Sequence, residues 1–338
     1  MFKSQDIAID LGTASILVYT KDKGIIINEP SVVAVDATTQ KLLAVGTKAQ
    51  DMIGRNPEDI LVIRPLRKGV ISDYDTTMTM IKHILNKTCR RLFLKPRVIV
   101  CIPSIITEVE KKAVIDAMLG AGARNAYLIE EPIAAAIGAG LDISKPTGHI
   151  VIDIGGGTTD IAVISLGSMV VHTSLKTAGD EFDQEIIKYI RKQHNVIIGE
   201  RMAETIKKEI GCVYPPDEQS LMRVKGRSIA SGLPVEIMVS SDEILSAIKE
   251  TADVIVNGVK DVLERTPPEL IGDISTNGAV MTGGGALTKG LDKLIASETG
   301  LDVKIADDPV TCVVLGTGKA LSEIRVLNKT RKYRPSIF

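Results

Sequence analysis

Short, nearly unbroken apolar runs alternate with turn residues from the start of the chain. Ile7 to Ile9, Ile16 to Tyr19 and Ile25 to Ile27 are such runs, and Lys21-Asp22-Lys23-Gly24 separates the last two. Runs of this length, bounded by turn residues, predict buried strands. Residues 32–63 read as strand-poor and loop-rich, a small insertion that ends at Arg64-Pro65. Val98-Ile99-Val100-Cys101-Ile102 predicts another buried strand, and a helix follows it. There Thr107 and Glu110 have capping-box spacing, and Val109, Ala113, Ala117 and Met118 share one face. Gly120 and Gly122 stop the helix.

The second half repeats the scheme. Ile150 to Ile152, Ile161 to Ile164 and Met169 to His172 predict strands, with helices near 181–192 and 202–210. A long helix is expected near 242–264. Ile244, Ile248, Ile255, Val259 and Val262 recur there at helical spacing, an ordinary core stripe, and Thr266-Pro267-Pro268 ends it. Alternating strands and helices predict an α/β protein.

Three glycine clusters punctuate this pattern at strand ends. They are Asp10-Leu11-Gly12-Thr13, Asp153-Ile154-Gly155-Gly156-Gly157-Thr158 and Thr282-Gly283-Gly284-Gly285-Ala286. The first two share one design and lie in different halves of the chain. They predict a duplicated α/β domain with a nucleotide held between the copies.

Composition narrows the class without changing that picture. A chain of 338 residues suits two domains. With 44% hydrophobic and 25% charged residues it is an ordinary globular chain. A net charge of -1 gives no general attraction to nucleic acid, so none is expected as a partner. Cys89, Cys101, Cys212 and Cys312 are scattered without C-x-x-C spacing. They are expected to be reduced thiols of a cytosolic protein, several on core strands, and not a zinc site. Met1 to Asp6 leads straight into a strand, which leaves no room for a signal peptide. No apolar run approaches the ~18–20 residues that a spanning helix needs.

The loops carry the candidate chemistry. Glycine turns tightly and removes the Cβ that would hold a phosphate away from backbone N–H groups. Gly12-Thr13-Ala14 and Gly155-Gly156-Gly157-Thr158 can each offer a row of amides, and Thr13 and Thr158 add hydroxyls. Asp10 and Asp153 stand at the strand ends ahead of these turns. One such Asp would be a turn cap. Two in matching contexts beside phosphates call for a cation between the charges, and Mg²⁺, held through its waters, suits them. No G-x-x-x-x-G-K-[ST] loop is present. Val313 stands where the first glycine before Gly318-Lys319 would be, and Ala320 replaces the Ser/Thr. A dinucleotide G-x-G-x-x-G after the first strand is also absent.

Taken in order, these motifs resemble the actin, sugar-kinase and heat-shock-chaperone ATPase superfamily. Glu131-Pro132-Ile133-Ala134-Ala135-Ala136-Ile137-Gly138 and Val314-Leu315-Gly316-Thr317-Gly318 resemble its two connecting helices, and Gly283, Gly284, Gly285 and Ala286 its adenosine motif. Within the superfamily the chain resembles the MreB family, the bacterial actins, from about residue 6 to about residue 324. Residues 27–34, Arg64-Pro65-Leu66-Arg67-Lys68-Gly69-Val70-Ile71, Ile206-Lys207-Lys208-Glu209-Ile210-Gly211 and Thr266-Pro267-Pro268-Glu269-Leu270 carry that similarity.

The resemblance implies an actin-like, ribonuclease H-like fold. Domain I would span 1–140 and 310–338 with an insertion at about 32–63, and domain II 141–309 with one at about 180–240. It implies an ATP/ADP-binding protein that uses Mg²⁺, polymerises and hydrolyses ATP slowly. Glu131 and Thr158 would position the attacking water; by itself Glu131 could equally be a favourable acid at a helix N-terminus. Ser15 would join the first phosphate loop. Glu204, Thr205, Ile206 and Lys207 would contact the nucleoside, although Glu204 and Lys207 alone would be a solvated i,i+3 pair. Three departures mark a divergent paralogue: Asp160 replaces a usual Glu, Ser15-Ile16 a usual Asn-Thr, and Ser104-Ile105 a usual Ser-Gly.

The implied partners are further copies of the chain in filaments, related paralogues, membrane shape proteins and an anionic membrane surface at the cytoplasmic face. Two segments could meet that surface. One is the basic tail with Arg325, Lys329, Arg331, Lys332 and Arg334, otherwise a frayed terminus. The other is Leu92-Phe93-Leu94, otherwise a turn packed on the core. The expected role is a membrane-associated filament that governs cell shape. A structural filament with little hydrolysis and a non-polymerising sugar kinase of the same fold are the alternatives.

Overall fold

The structure, a computed structural model, describes residues 6–89 and 95–321. The first half runs β1 (Asp6–Leu11), β2 (Ser15–Thr20), β3 (Gly24–Pro30), β4 (Val33–Asp36), β5 (Leu42–Val45), α1 (Thr47–Gln50) and β6 (Ile60–Ile63). It continues with the short pair β7 (Leu66–Arg67) and β8 (Val70–Ile71), α2 (Tyr74–Cys89), β9 (Arg97–Ile102), α3 (Glu108–Gly120), β10 (Asn125–Glu130) and α4 (Glu131–Gly138). The second half holds β11 (His149–Ile154), β12 (Thr159–Ser165), β13 (Ser168–Leu175), α5 (Gly179–His194), β14 (Val196–Ile197), α6 (Glu200–Ile210), β15 (Leu221–Ser228) and β16 (Pro234–Ser240). Then come α7 (Ser241–Glu264), α8 (Pro268–Asn277), β17 (Ala279–Thr282), a 3₁₀ turn at Gly284–Leu287, α9 (Leu291–Thr299), β18 (Val303–Ile305) and α10 (Cys312–Ala320).

The two halves repeat one sheet. The first is five-stranded in the order β10-β9-β1-β2-β3, the second in the order β13-β12-β11-β17-β18. In each, three antiparallel strands come first in the chain, and two later strands add in parallel beside the first of them. Parallel strands need helical crossovers, which cover the sheet faces; β1, β9, β11 and β12 are accordingly buried almost throughout. The duplicated α/β architecture expected from the glycine loops is therefore present.

The join between the halves is built from small residues. α4 and α10 lie between the two sheets, where Ala134, Ala135, Ala136 and Val313 pack with Ala8 and Ile99 from one sheet and Val151 and Ala162 from the other. Their backbones touch. A Cβ on Gly138 would stand 1.8 Å from the Cys312 carbonyl oxygen, and one on Gly316 would stand 1.8 Å from that of Ala134. Only glycine fits at either position.

Several expectations need correction. Residues 32–63 are not strand-poor: β5, β4 and β6 form a three-stranded sheet there. Its strands have four residues each, too short for periodicity to register. A second small sheet, β14-β15-β16, belongs to the other half. Val109 does not face the core; it is 79% exposed while Val114, Ala117 and Met118 are buried. Val109 lies five positions before Val114, about 140° round the helix axis, and so points away. Of the cysteines only Cys101 sits on a sheet strand; Cys89 and Cys312 are on helices, and Cys212 follows α6. The long helix has its stripe buried as expected, and a capping box of Ser240 and Glu243 starts it.

Candidate functional site

Both phosphate-type loops are tight hairpin turns between antiparallel strands. A Cβ on Gly12 would meet the Ser15 carbonyl oxygen at 2.8 Å, and the Ser31 hydroxyl donates to the Gly12 carbonyl at 2.7 Å. Gly155 N–H donates to the Thr158 carbonyl at 2.9 Å. The two loops face each other across the halves. A Cβ on Gly156 would lie 2.6 Å from the Ala14 methyl, and one on Gly157 would lie 2.6 Å from Thr13 Oγ1. Thr13 and Thr158 are both buried between them.

Four carboxylates gather at the base of these loops. The Cys101 thiol donates to Asp10 Oδ1 at 3.1 Å, and the Thr282 hydroxyl donates to Asp153 Oδ1 at 2.6 Å. Asp160 pairs in register with Asp153 on the next strand. Its Oδ1 accepts from Ser104 N–H at 2.7 Å and from the Ser104 hydroxyl at 2.6 Å; its Oδ2 is buried without a hydrogen-bond partner among the described residues. Glu131 opens α4.

Desolvation pushes the Asp10 carboxyl up to about 6, against the Cys101 hydrogen bond. It pushes Asp153 up to about 7, with the charges of Asp160 and Asp10 adding to it and the Thr282 hydrogen bond opposing. Burial first, then the charges of Asp160, Asp153 and Asp10, hold Glu131 well above the usual carboxylate range. Burial also raises Asp160, against its Ser104 hydrogen bonds. A cluster of this kind has oxygen donors and an excess of negative charge, which is the chemistry a hard divalent cation satisfies. Among the described residues no group of three or more His, Cys, Asp or Glu side chains could hold a metal unaided.

The adenosine-type cluster reaches the same place through Ile154. Gly283, at φ 80°, and Gly285 press on it: a Cβ on Gly283 would stand 2.3 Å from the Ile154 carbonyl oxygen, and one on Gly285 2.3 Å from Ile154 Cγ2. Gly179 and Asp180 N–H at the start of α5 donate to the Gly155 and Gly156 carbonyls at 3.2 and 2.7 Å. Lys207 Nζ donates to the Gly179 carbonyl at 2.7 Å and lies 2.9 Å from Asp183 Oδ1. Glu204 lines the cleft and pairs with Lys208 at 2.6 Å. Other expected contacts point elsewhere. The Ile206 and Ala286 side chains belong to the core of the second half, and the Thr205 hydroxyl donates to the Arg201 carbonyl at 2.7 Å.

The loops open into a cleft of about 380 Å³ lined by Thr13, Gly156, Gly157 and Glu204, with Arg64 and Lys68 from the opposite wall. Sequence reasoning named Arg64, Lys68, Ser104 and Thr282 only as parts of family-like segments and gave none of them a role in the site. The local signal was Lys68-Gly69, both at positive φ (49° and 77°), a tight turn that sets Gly69 N–H 3.0 Å from Thr13 Oγ1. Leu92, Phe93, Leu94, Arg325, Lys329, Arg331, Lys332 and Arg334 lie outside the described residues. Among the described residues no helix is long and apolar enough to cross a membrane.

The family model "MreB/Mbl protein" matches residues 4–329. The chain belongs to the MreB/Mbl family. It is 50% identical over 329 residues to the cell shape-determining protein Mbl of Bacillus subtilis, covering 97% of this chain and 99% of that one. It is 49% identical over 327 residues to the cell shape-determining protein MreB of Escherichia coli, covering 95% and 94%. Among solved structures it is similar to MreB5 of Spiroplasma citri bound to ADP, with a TM-score of 0.93, 40% identity and coverage of 98% and 100%. The same protein bound to AMPPNP gives 0.92 at 40% identity, covering 97% and 99%. Membership of this family and the actin-like fold agree with the order of motifs in the sequence.

Proposed function

We propose that this MreB/Mbl family member binds ATP and ADP with Mg²⁺ between its two phosphate loops, hydrolyses ATP slowly, and assembles into filaments at the cytoplasmic membrane that govern cell shape. One observation carries the reading: the Gly12–Ala14 and Gly155–Thr158 loops meet face to face above Asp10, Glu131, Asp153 and Asp160. The relatives solved with ADP and AMPPNP support it, and the names of the curated relatives support the role in shape.

The loops would take the phosphates on backbone N–H groups, with Thr13 and Thr158 adding hydroxyls. Asp10 and Asp153 fit a Mg²⁺ held through water, which when bound supplies countercharge to phosphate and carboxylate alike. Glu131 stands at the junction of both halves. Once ionised it can accept a hydrogen bond from water, and Thr158 can fix that water for in-line attack. Lys207 and Glu204 would meet the nucleoside. The division into domain I, up to about residue 140 and again from about 310, and domain II between them is supported by α10, whose Gly318 packs on Tyr19 of the first sheet. Calorimetry with ATP, with and without Mg²⁺, tests the site. Binding that is tighter with the metal is expected, and no binding of either form would overturn the reading.

A further inference from the structure

The walls of the cleft are joined by charges that the phosphate chemistry does not use. Arg64 Nη2 lies 3.5 Å from Glu200 Oε2, Lys68 Nζ 3.8 Å from Glu181 Oε2, and Arg201 Nη1 3.2 Å from Asp51 Oδ1. Asp51, Arg64 and Lys68 belong to the first half, Asp51 just after α1, Arg64 just after β6 and Lys68 between β7 and β8. Glu181 is in the first turn of α5, and Glu200 and Arg201 are in that of α6. All three pairs therefore cross from one half to the other. Arg64, Lys68, Glu181 and Glu200 also line the cleft above the phosphate loops. Both halves meet again at Gly69, where a Cβ would strike Thr158 at 2.7 Å.

The halves are held together at α4 and α10, which cross in backbone contact. Motion between the halves must pivot on that crossing and open the edge where the pairs sit. The pairs are partly exposed, with side-chain exposures from 26% to 60%. Each is weak and screened by salt, which suits a closure that must also open.

We propose that Arg64–Glu200, Lys68–Glu181 and Asp51–Arg201 form an ionic clasp that closes the two halves over the phosphate loops and sets the rate at which nucleotide leaves. The release rate rests on the nucleotide-binding reading above; the closure does not. Polarity is reversed in the Asp51–Arg201 pair relative to the other two, so a charge swap there tests pairing and not net charge.

The test follows release of a fluorescent ATP analogue at a protein concentration too low for pelleting. Asp51→Arg and Arg201→Asp should each speed release about two- to fivefold, the scale that exposed pairs reach. The double variant Asp51→Arg/Arg201→Asp should return it near the parent rate. Raising salt from ~0.1 M to ~1 M, which cuts the Debye length from ~10 Å to ~3 Å, should speed the parent and change the single variants less. Singles that match the parent, or a double no slower than the singles, would overturn the clasp. A second readout needs no nucleotide: energy transfer between dyes on Leu43→Cys and Leu233→Cys in a Cys89→Ser background. Both leucines are exposed, and Cys101, Cys212 and Cys312 are buried. Transfer that falls with salt and with Asp51→Arg supports closure even if the analogue fails to bind, a failure that would remove the functional reading and the claim about release. Transfer unchanged by either would overturn closure itself.

Discussion

Asp153 is a buried acid with a hydrogen bond from Thr282 and with Asp10, Asp160 and Glu131 for neighbours, and its behaviour with pH follows from that. Its carboxyl is at about 7 and that of Asp10 at about 6, against ~3.9 for a free Asp. Between about pH 4 and pH 7 the folded, metal-free protein holds protons that the unfolded chain has released. The stability linked to these protons is present below about pH 4 and lost as pH rises through about 7. A cation competes with the same protons. Mg·ATP affinity should therefore rise roughly tenfold between about pH 6 and pH 8, after correction for the nucleotide's own titration, while metal-free ATP gains less. Calorimetry at both pH values checks this. Asp153→Ala should weaken Mg·ATP more than metal-free ATP; equal losses would make Asp153 a structural cap. Glu131→Ala and Thr158→Ala should each slow phosphate release while affinity stays within a few fold, and the double variant should be little worse than either single. Additive losses in single-turnover assays would remove the shared water. Asp10 and Asp153 were legible because each ends an apolar run beside glycine. Ser104 was named only as a family departure, because nothing local shows that its hydroxyl reaches Asp160 on the other half.

At the scale of elements, the crossing of α4 and α10 is the tightest feature of the fold. Gly316→Val would place carbon where the Ala134 carbonyl oxygen already stands, 1.8 Å from an added Cβ. Overpacking of this kind costs about 1–3 kcal/mol or more, and backbone cannot yield as a side chain can. Thermal melting should fall by a few degrees, since the shift is about 2–4 °C per kcal/mol for ~150–250 residues and less for a longer chain, and nucleotide affinity should fall with it. A variant with unchanged melting would mean that the helices can separate freely. Both helices were recognisable through their resemblance to the superfamily's connecting helices, but their mutual contact was not. The small sheet β5-β4-β6 was missed for a different reason. Its strands are four residues long, and the central one, Val33–Asp36, is held by partners on both sides and not by its own pattern.

For the whole molecule, the duplicated sheets create a cleft, the glycine crossing gives it a pivot, and the charged edge gives it a closure. Long apolar runs and repeated loops made the duplication legible; the cationic wall at Arg64 and Lys68 was not, because it comes from residues far from either loop. The proposed assembly beside a membrane adds a further expectation. The protein with ATP should co-sediment with anionic and not with zwitterionic liposomes, more so when assembled, since filaments multiply weak contacts. Loss of binding at high salt would point to the basic residues at 325–334, and binding that survives salt but not Phe93→Ser would point to Leu92-Phe93-Leu94. Equal binding to both liposome types would contradict an electrostatic contact.

The most direct measurement is sedimentation across a range of protein concentrations with ATP, ADP or AMPPNP, with phosphate release followed in the same samples. A nucleotide-controlled filament should pellet above a critical concentration with ATP and AMPPNP, and less with ADP. Phosphate should appear slowly with ATP and be absent with AMPPNP. Protein that stays in the supernatant at every concentration while it transfers phosphate to a sugar would contradict the account.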